Sequence, residues 1–248
     1  MDGKRLAVCL FASLFFAASA TASADKDLLL DRIYDQAGLE RQLDWVHDSM
    51  TLPPQRYAIP EPVLDTVNQV VKIRYSSDFF RTSMKSTLDE ALTMGELAQL
   101  IDWFESPLGQ KVLSLEAEAN KPENREQMAA YIKKLADTAP REDRVRLIEE
   151  LMAALDTVEL STELTASATL GAQRMLHEVM PVKQQPQELS ADEWSHIQEQ
   201  MMPKMLGILL YTYRSLPDDE IQQYLDFARK SAMQNFQRGQ IQALSRMF

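Results

Sequence analysis

Residues 92–112 read LTMGELAQLIDWFESPLGQKV, and the fold is decided here. Thr93 followed by Glu96 is a capping box, in which the hydroxyl and the carboxylate each satisfy an N–H that the first helical turn leaves orphaned. Leu97, Leu100, Ile101 and Phe104 then recur at the helical period as one apolar stripe. Ser106-Pro107 ends that helix and begins another, with serine as N-cap and proline at the first helical position, where its missing N–H costs nothing. The spacing predicts two short helices joined by almost no loop and meeting at a sharp corner.

A related pattern returns 124 residues later as LPDDEIQQYLDFARKSAMQNF, residues 216–236. Leu92, Glu96, Gln99, Asp102 and Gln110 recur as Leu216, Glu220, Gln223, Asp226 and Gln234, while Leu97, Leu100, Ile101 and Trp103 are replaced by Ile221, Tyr224, Leu225 and Phe227. Upstream, Leu29-Leu30-Asp31-Arg32-Ile33 resembles Leu147-Ile148-Glu149-Glu150-Leu151 at an offset of 118. A short insertion reconciles the two offsets. Residues 25–138 and 139–248 therefore read as two tandem, related helical modules, the second a degraded repeat of the first.

The rest of the chain carries helical signals. Leu29, Leu30, Ile33 and Ala37 define a helix over Asp25–Ala37 with Gly38 as its C-cap, and Leu39, Leu43, Val46 and Met50 define the next. Residues 51–61 hold three prolines and read as a linker, after which Pro62 opens a further helix. Val71, Ile73 and Tyr75 alternate as a strand would, but Val63, Val67, Val70 and Val71 fit the helical period and no second strand is available to pair. Helices are expected over Pro122–Thr138, Pro140–Asp156 and Val158–Met180, the last rich in small residues from Thr165 to Ala172. Pro181–Glu188 is the second linker. Ser190 with Glu193 forms a second capping box, and Pro203 is expected to bend or break the helix that follows. The fold class is all-α, a multi-helix bundle.

Composition excludes several function classes. The chain of 248 residues is 45% hydrophobic and 25% charged, with a formal net charge of −11, which is ordinary for a globular protein. Seven glycines are fewer than half the usual share of about 7%, leaving little material for phosphate-cradling loops or the turns of an all-β fold. One cysteine makes no disulfide framework, and three scattered histidines without cysteine partners make no zinc site. The acidic balance speaks against nucleic acid as a partner, because a binder needs a basic footprint to displace counterions.

Residues 1–24 read as a signal peptide: Lys4 and Arg5 give a positive start, Leu6–Ala18 an apolar run, and Ala22-Ser23-Ala24 a small-residue cleavage pattern with the cut after Ala24. Cys9 does not make a lipid-attachment site, since Val8 before it is not small and almost no apolar region precedes it. The expected location is the periplasm. After residue 24 the longest apolar candidate, Met205–Tyr213, is too short to span a bilayer, so no integral membrane segment is expected in the cleaved chain.

Leu92, Thr93, Glu96, Leu97, Phe104, Ser106, Pro107, Gly109 and Lys111 together resemble the pattern of bacterial exported proteins grouped as domain-of-unknown-function family 2059. The resemblance implies a helical domain present in two copies, and an export route. In the second copy Pro217 stands where Thr93 does, and Ser231, Ala232 and Met233 replace Pro107, Leu108 and Gly109. It carries no catalytic residues over.

Candidate chemistry is sparse. His177-Glu178-Val179-Met180-Pro181 begins like a zinc-protease motif, but Pro181 occupies the second ligand's place. Asp44 with His47, and Glu193 with His196, set a carboxylate and an imidazole three residues apart on one helix face, as di-metal bundles do. The two pairs do not fall at equivalent repeat positions, and Glu193 already serves a cap. Met175, Met180, Met201, Met202 and Met205 read as filling of the helical core or of adaptable grooves, and Trp45, Trp103 and Trp194 likewise read as core or groove-lining residues. The expectation is a non-enzymatic envelope protein that binds an unidentified protein or peptide, with no catalytic residue and no cofactor. One alternative is a carrier with an apolar cavity between the small-residue helix and the Met-rich helix 191–214. The other is a metal-dependent enzyme using Asp44, His47, Glu193 and His196.

Overall fold

The computed structural model describes residues 24–50, 61–179 and 189–247. The predicted signal peptide up to Ser23, the linker residues 51–60, the linker Pro181–Glu188, Met180 and the side chain of Trp45 lie outside these. Among the described residues there are twelve α-helices and no strand: α1 (24–36), α2 (Glu40–Met50), α3 (Glu61–Arg74), α4 (Ser77–Ala91), α5 (Met94–Glu105), α6 (Pro107–Ala119), α7 (Arg125–Lys134), α8 (Glu142–Ala154), α9 (Thr157–Val179), α10 (Ala191–Thr212), α11 (Asp218–Ala228) and α12 (Ser231–Met247). The all-α, multi-helix bundle expected from the sequence is the fold. No described helix is long and apolar enough to cross a membrane.

Helix starts follow local chemistry. Thr93 Oγ1 accepts the Glu96 N–H at 3.3 Å while the Glu96 carboxylate accepts the Thr93 N–H at 2.9 Å, and Ser190 with Glu193 repeats the pattern at 3.3 and 2.8 Å. Ser106 caps α6 by accepting the Gly109 N–H at 3.0 Å. Ser76 caps α4 through the Phe79 N–H, a start that the apolar periodicity alone does not reveal. Thr93→Ala is expected to cost about 1 kcal/mol through loss of the cap, a fall in melting midpoint of about 2–4 °C; an unchanged midpoint would contradict the role.

One local expectation is corrected, and one of two alternatives is removed. Pro122–Thr138 is not one helix but a 3-10 turn, Pro122–Asn124, followed by α7. Asn124 donates its amide to the Glu118 carbonyl at 2.7 Å, folding the turn back onto the end of α6. Pro203 does not break α10, which runs unbroken from Ala191 to Thr212. Pro203 and Glu199 both lie on the exposed side, so the carbonyl that Pro203 leaves without a donor faces water rather than the core.

One hydrophobic core joins Leu30, Ile33 and Tyr34 of α1 to Phe104, Leu151, Leu225 and Leu244, so residues 25–138 and 139–248 share a single interior. The C-terminal helix α12 packs across α4, α5 and α9, while α6 packs on α10 and α11 as well as on its neighbour α5. At the α12–α4 crossing Gly239 brings the backbones close: a Cβ there would stand 2.8 Å from Leu88 Cδ2 and 3.2 Å from Ala91 Cβ. On the surface, Arg81 and Lys85 of α4 bridge Asp31 of α1 at 2.9 and 2.8 Å, and the two cations hold the Asp31 carboxyl below its ordinary range.

Candidate functional site

The α5–α6 corner sets the geometry of an aromatic groove. The Ser106 N–H bonds the Trp103 carbonyl at 3.0 Å and the chain turns immediately into α6. Only glycine fits at 109, where a Cβ would lie 1.9 Å from the Trp103 oxygen. The turn holds Trp103 on the last turn of α5 against α11. Its indole stacks on Phe227 with ring centroids 4.5 Å apart and planes 10° from parallel, and on Tyr224 at 5.4 Å and 14°. Between these walls runs an open groove of about 560 Å³, lined by Gln99, Asp102, Trp103 and Leu108 on one side and Gln223 and Phe227 on the other. Lys230 stands at the end of α11 with its ammonium 5.5 Å from the Phe227 ring centre. An aromatic floor with amides, a carboxylate and an ammonium at its rim can bury an apolar side chain and still bond polar backbone.

Behind the stack lies a buried carboxyl. Tyr213 donates to Glu116 Oε1 at 2.6 Å and Tyr224 donates to the same oxygen at 3.4 Å. Burial pushes the Glu116 carboxyl above its ordinary value, more than the two hydroxyls pull it down, and it holds both phenols well above 10. The folded state thus binds this proton more tightly than the unfolded chain. The stabilisation from that proton is complete below about pH 4.5 and is lost as pH rises through the raised folded value. Glu116→Gln is therefore expected to melt above the parent at pH 8 and level with it at pH 4; equal midpoints at both pH values would contradict the assignment. Sequence patterning missed Glu116, although it falls between Val112 and Ala119 on the buried stripe of α6, where a charged residue is out of place.

A second cleft, of about 320 Å³, is lined by Tyr131, Arg141, Arg144, Arg214 and Asp218. Arg144 donates to the Tyr213 carbonyl at 2.5 Å and the Leu216 carbonyl at 2.8 Å, and both Arg144 and Arg141 pair with Asp218. These guanidiniums close the end of α10 and are spent on protein groups.

The sequence-predicted candidates lie elsewhere. His47 Nε2 stands 2.7 Å from the Tyr75 carbonyl, and Asp44 is exposed on α2. Glu193 caps α10, and His196 Nε2 lies 2.7 Å from Gln200 Nε2 one turn further on. The two pairs are not gathered: among the described residues no group of three or more His, Cys, Asp or Glu side chains is placed to hold a metal ion. Met175 is buried, Met205 accepts a hydrogen bond from Ser161 at 3.4 Å, and Met202 is exposed. The small residues Ala166, Ser167, Ala168 and Ala172 are buried, and α9 packs directly on α10. Of the tryptophans, Trp194 is half-buried and Trp103 forms the groove.

Residues 78–138, spanning α4 to α7, match the family described as "Uncharacterized protein conserved in bacteria (DUF2059)", which supports the resemblance carried by the α5–α6 corner. The match is to one copy, where the sequence led us to expect two. No curated protein and no solved structure matches the chain.

Proposed function

We propose that this is an exported, non-enzymatic envelope protein of two related helical halves, and that the Trp103–Phe227 groove binds a peptide segment of a partner protein. The observation that carries the reading is the stacked aromatic floor opening on a rim of Gln99, Asp102, Gln223 and Lys230. Tryptophan in such a setting is a typical centre of binding energy. Export rests on the charge, apolar run and cleavage pattern of residues 1–24.

The test places a photoreactive side chain at Gln99, and in a second strain at the remote exposed Glu126, and crosslinks in intact cells. A discrete partner is expected from Gln99 and not from Glu126. Trp103→Ala should weaken its capture by about 2 kcal/mol or more, some 30-fold in affinity. Crosslinking that ignores Trp103, in a variant whose circular dichroism is unchanged, would overturn the reading. N-terminal sequencing of the mature protein is expected to start at Asp25, and an uncleaved chain in the cytoplasm would refute export.

A further inference from the structure

The two halves repeat one another in three dimensions. α1 (24–36) and α8 (Glu142–Ala154) begin and end 118 residues apart. Each is followed by a residue in the left-handed region at the same offset, Gly38 with φ 64° and Asp156 with φ 47°. α11 and α12 begin 124 residues after α5 and α6. The corner bond from the Ser106 N–H to the Trp103 carbonyl, 3.0 Å, recurs as Lys230 N–H to Phe227, 2.9 Å. The side-chain bond from Gln110 to the Phe104 carbonyl recurs as Gln234 to Ala228.

Contacts between the halves are reciprocal. Asn235 donates to Glu96 at 2.6 Å, and at the positions 124 residues removed Lys111 pairs with Glu220 at 2.5 Å. α12 lies on α4 and α5, as α6 lies on α10 and α11. Within each half the same bridge recurs with the charges exchanged: Arg32 pairs with Glu105 in the first, and their counterparts Glu150 and Arg229 pair in the second. Trp103 stacks on its own counterpart, Phe227. Contacts of residue i with j and of j's twin with i's twin are the mark of a twofold interface.

From these contacts we infer that the chain is a fused pseudo-dimer, its halves related by a twofold axis through the Trp103–Phe227 stack, with α6 and α12 exchanged between them. The α5–α6 corner is thus an interaction surface whose partner is another corner of the same kind, supplied here by α11–α12. The groove lies on the axis and presents Gln99 and Gln223 to its occupant as a matched pair. The inference rests on the proposal of two related halves but not on what the groove binds.

Two experiments on the full chain test it. In the first, Trp103→Phe, Phe227→Trp and the double exchange are melted side by side. Because equivalent positions face each other across an axis, the double exchange is expected within about 2 °C of the parent, while each single variant melts lower, as directly coupled neighbours do. A double variant that falls by the sum of the singles would overturn the symmetry. In the second, a protease site is placed between Thr138 and Arg141 and the purified protein is nicked. Exchange of α6 and α12 requires the two fragments to co-elute and melt as one unit; fragments that separate, folded or not, refute it. Neither result moves if the groove proves to bind no peptide, and a failed crosslink from Gln99 leaves both untouched.

Discussion

Phe236→Ala is expected to destabilise the protein by about 3–5 kcal/mol, the usual range for a large aromatic removed from a packed core. Phe236 is 3% exposed and meets Phe104 edge to face at 6.0 Å. It stands on α12 and its partner on α5, so the contact joins the C-terminal helix to the first half of the chain. Denaturant unfolding reads the loss directly. For a protein of this size it corresponds to a fall of at least 6–10 °C in melting midpoint. Phe79→Ala serves as the comparison, because Phe79 is 41% exposed and its removal opens no cavity. If Phe236→Ala cost no more than Phe79→Ala, α12 would not be seated on α5.

Gly109→Ala is the second large effect. The added methyl carbon would lie 1.9 Å from the Trp103 carbonyl oxygen. The obstacle is backbone, which cannot rotate away as a side chain end would, so the cost belongs at the upper end of overpacking, about 3 kcal/mol. Alanine recovers about 1 kcal/mol over glycine in a helix, leaving a net loss of about 2 kcal/mol. Gly95, on α5, has nothing within 4 Å of the same added atom. Gly95→Ala is therefore expected to stabilise by up to about 1 kcal/mol. The two substitutions together separate the effect of helix propensity from that of the corner. Opening the corner should also disturb the Trp103 stack, visible as a change in near-ultraviolet circular dichroism in Gly109→Ala and not in Gly95→Ala. Equal effects on stability from both would mean that the corner is looser than the Ser106–Trp103 bond implies.

Much of the secondary structure was legible before any packing was known, and for an identifiable reason. The caps at Thr93, Ser106 and Ser190 and the left-handed turn at Gly38 are set by side chains within a few residues of the groups they satisfy. The error at Pro122 was of the same local kind: it reads as a helix start although Asn124 closes a tighter turn there. Of the bend or break read at Pro203, the break does not occur, because propensity takes no account of which side of the helix faces water. Asp44, His47, Glu193 and His196 share helix faces in pairs, as their spacing requires, but helix periodicity carries no information on whether α2 and α10 bring the pairs together.

By itself, the sequence determined the helical class, the corner and most helix starts, all of which depend on neighbours along the chain. Only the tertiary structure decided where the stripes are buried. An apolar stripe states that a face is covered, not by what, and Phe236 could have served its own half as well as the other. The seating of α12 on α4 and α5, the Trp103–Phe227 groove and the enclosure of Glu116 by Tyr213 and Tyr224 all join residues about a hundred positions or more apart. Such contacts are selected by the shape and volume of the whole core, which close packing fixes only when every helix is in place.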